Sequence, residues 1–101
     1  MAFVRVASLG ELAPGTVMEA QFNGEPYAIC NLAGEVRAFA GTCPHAGGPL
    51  GEGIIDGENL VCPWHAWEYN CRTGVNTYDD SVRLASFAVK VEGDDILVDL
   101  T

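Results

Sequence analysis

The chain has 101 residues, one domain's length, with 49% hydrophobic and 19% charged residues, which is a globular composition and not a disordered one. Five Lys and Arg against fourteen Asp and Glu leave a net charge of −9, which argues against a nucleic-acid binder and against docking to an anionic membrane. No apolar run is long enough to span a bilayer, and the N-terminus shows no basic region followed by an apolar stretch, so a cytoplasmic protein is expected.

In chain order, Val4 and Val6 flank Arg5 with the period of a strand, and Ser8 with Glu11 forms a capping-box pattern over one helical turn to Leu12, ended by Pro14-Gly15. Thr16 to Phe22 and Pro26 to Leu32 are apolar runs joined by Asn23-Gly24, a strong hairpin signal. Ala33-Gly34 turns into a further strand, Val36 to Ala40. From 41 to 57 the chain is dense in glycine, carries Pro44 and Pro49, and reads as loop. Asn59 to Cys62 and Ala66 to Asn70 read as short strands around Pro63-Trp64-His65. Phe87, Val89 and Val91, then Ile96, Val98 and Leu100, alternate on either side of Gly93-Asp94-Asp95, a second hairpin with one buried face. No long helical period occurs, so the expected class is all-β: a single domain over 1–101. Its framework at 1–40 and 73–101 holds an irregular insert at 41–72.

The chemistry sits in that insert. The cysteines are Cys30, Cys43, Cys62 and Cys71, and without signs of secretion they read as metal ligands, reactive thiols or small buried hydrophobes. The only two histidines each follow a cysteine closely: Cys43-Pro44-His45 and Cys62-Pro63-Trp64-His65. Two thiolates and two imidazoles suit zinc or an iron–sulfur cluster. A zinc finger pairs its cysteines together and its histidines together, whereas here each loop supplies one of each. The tight Cys-x-His spacing is natural if each loop's two residues bind different irons, both cysteines on one and both histidines on the other. A structural zinc site and a Cys43–Cys62 disulfide are the plainer readings; the second leaves both histidines unexplained.

Cys43-Pro44-His45-Ala46-Gly47-Gly48 and Cys62-Pro63-Trp64-His65-Ala66-Trp67 resemble the two cluster-binding loops of Rieske proteins. The resemblance implies a fold of two or three small antiparallel sheets around a loop-rich cluster-binding part. It implies one [2Fe–2S] cluster, with Cys43 and Cys62 on one iron and His45 and His65 on the other. High-potential Rieske proteins carry two further cysteines, which form a bridge between the loops; here those positions are Gly48 and Trp64. Their serine, which hydrogen-bonds a sulfide, is Trp67 here, while Tyr69 matches the tyrosine that bonds a ligand cysteine. Fewer hydrogen bonds to sulfur imply a potential near the lower Rieske bound, about −150 mV.

The chain therefore resembles a soluble Rieske-type ferredoxin. This implies an electron carrier with no substrate site of its own. It would serve aromatic hydrocarbon catabolism as a monomer that transiently meets a flavin-dependent reductase and a terminal oxygenase. The other use implied is the small subunit or electron-entry module of an assimilatory nitrite reductase. Gly47 and Gly48 read as close approaches to the sulfides, Pro49 and Leu50 as a shield, and Trp64 as an apolar rim; Trp67 reads equally as core or rim. Cys30 and Cys71 read as structural. Asp79-Asp80 and Asp94-Asp95 read as solvated turns whose charge, with the rest, steers the protein to basic partners.

Overall fold

The computed structural model describes residues 3–44, 47–64 and 66–100. Ten strands form three antiparallel sheets, and no α-helix occurs among the described residues. The central sheet has the order β2-β3-β4-β8, from Thr16–Phe22, Glu25–Leu32, Glu35–Ala40 and Ser86–Phe87. The terminal sheet has the order β1-β10-β9, from Phe3–Ser8, Asp95–Asp99 and Val89–Glu92. The third has the order β5-β6-β7, from Ile54–Asp56, Asn59–Val61 and Glu68–Asn70.

Turn chemistry sets the central meander. Asn23 and Gly24 both take positive φ, 53° and 79°, the primed turn whose twist matches the flanking strands. Ala33 and Gly34 repeat the geometry at 53° and 95°. There the alanine has no side-chain help, and the buried Asn31 supplies it instead. Its Oδ1 accepts the Gly34 N–H at 2.8 Å and its Nδ2 donates to the Leu12 carbonyl at 2.9 Å. The Ser8–Glu11 capping box forms as expected over a single 3-10 turn, Leu9–Glu11.

Strand β3 is buried on both faces from Ala28 to Leu32, which is why it reads as a continuous apolar run. One face joins Ala28, Cys30 and Leu32 to Phe39, Cys43, Leu50, Leu60, Cys62, Tyr69, Cys71 and Leu84. The other joins Ile29 to Ala7, Leu12, Ala20, Ala38, Ile96 and Val98. The central sheet thus separates two cores: one against the cysteine-bearing loops, one against the terminal sheet.

Three expectations change. The 41–57 segment is not all loop: Ile54–Asp56 is a strand, with Ile54 opposite Val61 and Asp56 opposite Asn59. Gly53 and Gly57 flank three residues, too short a run to show a period. The run from Phe87 to Val91 is two strands. Phe87 pairs with Ala38 in the central sheet, while Val89–Glu92 pairs with β10 in the terminal one. The buried face of that second hairpin lies on Ile96 and Val98, and Val91 is exposed. Ala66 stands at φ 56° in a turn, and strand pairing resumes only at Glu68.

Candidate metal centre

Two loops carry the sequence-predicted ligands, and both close the same way. The Cys43 N–H donates to the Gly48 carbonyl at 2.9 Å, and the Cys62 N–H donates to the Trp67 carbonyl at 2.7 Å. Each cysteine is thus tied to the residue five places on. In each loop the residue four places on has a left-handed φ: Gly47 at 77° and Ala66 at 56°. The bases are clamped further by the Thr42–Pro49 bridge in the first loop and the Val61–Glu68 pair in the second.

The loops bring the two thiols together. Cys43 and Cys62 are buried, neither is in a disulfide, and their side chains are in contact. This excludes the disulfide reading for the structure as it stands. Burial pushes the Cys62 thiol up, the Trp64 N–H donating to its sulfur pulls it back, and the neighbouring Cys43 raises it again. A thiolate here needs a cation to stabilise it, which is what a bound iron provides. Tyr69, wholly buried, places its hydroxyl 3.1 Å from the Cys43 sulfur. Burial and that contact push the Tyr69 hydroxyl above the ordinary tyrosine range, with Asn76 opposing them.

Space around the sulfurs is filled closely. A Cβ on Gly48 would stand 2.8 Å from the Cys62 sulfur and 2.9 Å from Trp64 Cγ. Leu50 and Leu60 complete the apolar wall, and Trp67 packs against it half-buried. Trp64 is 49% exposed. The buried, adjacent, soft sulfur donors, each with a hydrogen-bond donor aimed at it, fit an iron–sulfur cluster. His45 and His65, the second expected ligand pair, lie outside the described residues.

Residues 2–88 match the model of the Rieske [2Fe-2S] domain. The chain belongs to the Rieske [2Fe–2S] family. It is 40% identical over 101 residues to the ferredoxin component of biphenyl 2,3-dioxygenase from Rhodococcus jostii (strain RHA1), covering 99% of this chain and 94% of that protein. Among solved structures it superposes with a TM-score of 0.85 on the ferredoxin of carbazole 1,9a-dioxygenase from Nocardioides aromaticivorans IC177, at 30% identity and 97% coverage of both chains. It matches equally well, at 28% identity and TM-score 0.85, a chain in a complex of reduced oxygenase and oxidized ferredoxin in carbazole 1,9a-dioxygenase, covering 95% of this chain and 91% of that one. This Rieske domain has the expected all-β fold, and the family's cofactor is one [2Fe–2S] cluster.

Two other cysteines lie in the same core. Cys30 on β3 and Cys71 after β7 are wholly buried, belong to one core cluster and face each other. That contact, and then burial, push the Cys30 thiol far up, so it packs as an inert small hydrophobe. Asn76 is the residue sequence reasoning missed. It lies in an irregular stretch after the second loop, and its β-bridge to Tyr69 brings it to the site.

Proposed function

We propose that this chain is a one-electron carrier, without a substrate site of its own, that works in the cytoplasm. It takes electrons from a flavin-dependent reductase and passes them to a terminal Rieske non-haem iron oxygenase. Cys43 and Cys62 hold one iron of the cluster, and His45 and His65 hold the other. The single observation that carries this reading is the meeting of two buried thiols, Cys43 and Cys62, at the ends of two matched loops in a chain so similar to a dioxygenase ferredoxin component.

The bound cluster supplies a site for one electron, which adds one negative charge. The residues around it control what that charge meets. Trp64 N–H and Tyr69 Oη direct dipoles at the two sulfurs and favour the more negative state. Leu50, Leu60 and Trp67 exclude water from the cysteine side. Trp64 presents an apolar edge to whatever docks. The net charge of −9 favours brief encounters with basic surfaces. The chain acts as a monomer that meets each partner in turn.

Purified, loaded protein is expected to be red-brown, with about two irons and two sulfides per chain and a reduced EPR signal of low average g. His45→Cys or His65→Cys is expected to move the visible spectrum toward that of an all-thiolate cluster. A colourless protein with stoichiometric zinc would overturn the reading. Stopped-flow mixing of the reduced protein with a purified aromatic-ring oxygenase tests the direction of transfer. Oxidation by a sirohaem nitrite reductase instead would assign it to the other system.

A further inference from the structure

We propose that Asn76 is a positioning residue: it aims and polarises the Tyr69 hydroxyl, and through that hydroxyl raises the reduction potential of the cluster. The inference rests on the reading of Cys43 as a ligand.

The orientation of the Asn76 amide is fixed by its own hydrogen bonds. Its Oδ1 accepts from the Tyr78 N–H at 2.8 Å and the Asp79 N–H at 2.9 Å. The Asn76 backbone N–H is taken by the Val82 carbonyl at 2.9 Å. The side-chain nitrogen must therefore point the other way. Asn76 is 97% buried, and its Nδ2 has no hydrogen-bond partner. Such a donor is costly in a core and calls for an explanation.

The polar group it faces is the Tyr69 hydroxyl. Tyr69 and Asn76 are antiparallel bridge partners, a pairing that sends both side chains to the same face. Asn76 acts on the Tyr69 hydroxyl as a donor, but the contact falls short of a formed hydrogen bond. At 3.1 Å either the thiol or the hydroxyl can donate across the Cys43–Tyr69 contact. A cysteine bound to iron has no proton, so Tyr69 must then be the donor. Its oxygen is left with acceptor capacity only, and the buried Nδ2 of Asn76 is the donor that meets it. Donation from Asn76 draws density off the phenol oxygen and strengthens its own donation to the sulfur. Stronger donation to a ligand sulfur stabilises the reduced cluster more than the oxidised one.

The test is a double-mutant cycle read as reduction potential in the loaded protein. Asn76→Ala removes the donor without adding charge. It is expected to shift the reduction equilibrium about threefold to tenfold toward the oxidised form, up to roughly 60 mV at one electron. In the Tyr69→Phe background the same change is expected to shift it less than twofold. Equal shifts in the two backgrounds overturn the proposal, because a general disturbance of the loop would not depend on the tyrosine. If Asn76→Ala does not take up cluster, Asn76→Ser keeps a side-chain oxygen to cap the Tyr78 and Asp79 N–H groups and removes the amide nitrogen without adding a charge. The same comparison with the Tyr69→Phe background then decides. Cys43→Ser, followed by visible absorption and iron content, separately reports on the ligand reading. An unchanged spectrum there refutes the ligand assignment, whatever the cycle gives.

Discussion

Gly48 sits where the first loop presses on the second, and replacing it with alanine isolates one steric contact. Its backbone is not in the left-handed region, so alanine costs nothing in conformation, and only space is at issue. The new methyl would lie 2.8 Å from the Cys62 sulfur, 2.9 Å from Trp64 Cγ and 3.1 Å from Trp64 Cβ. Ordinary contacts are about 3.5–4.0 Å, so the two loops must part by roughly 0.7–1.2 Å. The Gly48 backbone cannot simply retreat, because its carbonyl holds the Cys43 N–H. Overpacking of this kind costs about 1–3 kcal/mol. The strain falls on the separation of the two sulfurs, so it is expected as a loss of cluster retention of about 5- to 150-fold. The assay is iron and sulfide per chain together with the half-life of visible absorption under an iron chelator. Gly57→Ala is the control. It places alanine at φ +63° in open space, so it should lower the melting temperature but leave the chelation half-life unchanged. A fully loaded Gly48→Ala protein with the parent's half-life would refute the steric argument.

Other outcomes follow from the frame. Asn31→Ala strips partners from the Leu12 carbonyl and the Gly34 N–H and is expected to cost about 1–3 kcal/mol; differential scanning calorimetry should show a fall of about 4–8 °C per kcal/mol. Ala33→Asn gives the second hairpin the turn chemistry of the first and should raise the melting temperature, because asparagine tolerates the φ of 53° better than alanine. Glu11 is held below the usual carboxylate range by the Ser8 N–H and then the Ser8 hydroxyl. Its folded pKa is depressed, so its contribution is present above the unfolded value and lost as pH falls through the folded one. Glu11→Ala should therefore melt below the parent at pH 6, with the difference shrinking as the pH falls below the usual carboxylate range. Iodoacetamide should leave Cys30 and Cys71 unmodified in the native protein and label them after denaturation, read by mass spectrometry.

The sequence carried the strands and the thiols for identifiable reasons. Asn23-Gly24 and the Ser8–Glu11 pair are local devices, and they fold as local chemistry requires. Cys43 and Cys62 were legible as a pair because each is followed so closely by a histidine, a spacing that packing alone does not produce. Strand β5 was hidden because three residues between glycines show no period, and its pairing comes from β6. The split between β8 and β9 was hidden for another reason. Phe87 and Val89 keep one alternation while serving different sheets, and a change of partner leaves no mark on a period. Asn76 is an ordinary loop asparagine in sequence; its bridge to Tyr69 depends on how the chain returns after the second loop.

The central sheet has a consequence for engineering. The cysteine loops pack on one of its faces, while the first and last strands, paired with Phe3 opposite Asp99, pack on the other. Phe3 and Asp99 therefore lie side by side, with a full layer of sheet between them and the sulfurs. A reductase or oxygenase module joined at either end would hang from the back of the domain and leave the Trp64 side open. Electrode tethers can exploit the same separation: one anchor at the back fixes which side faces solution.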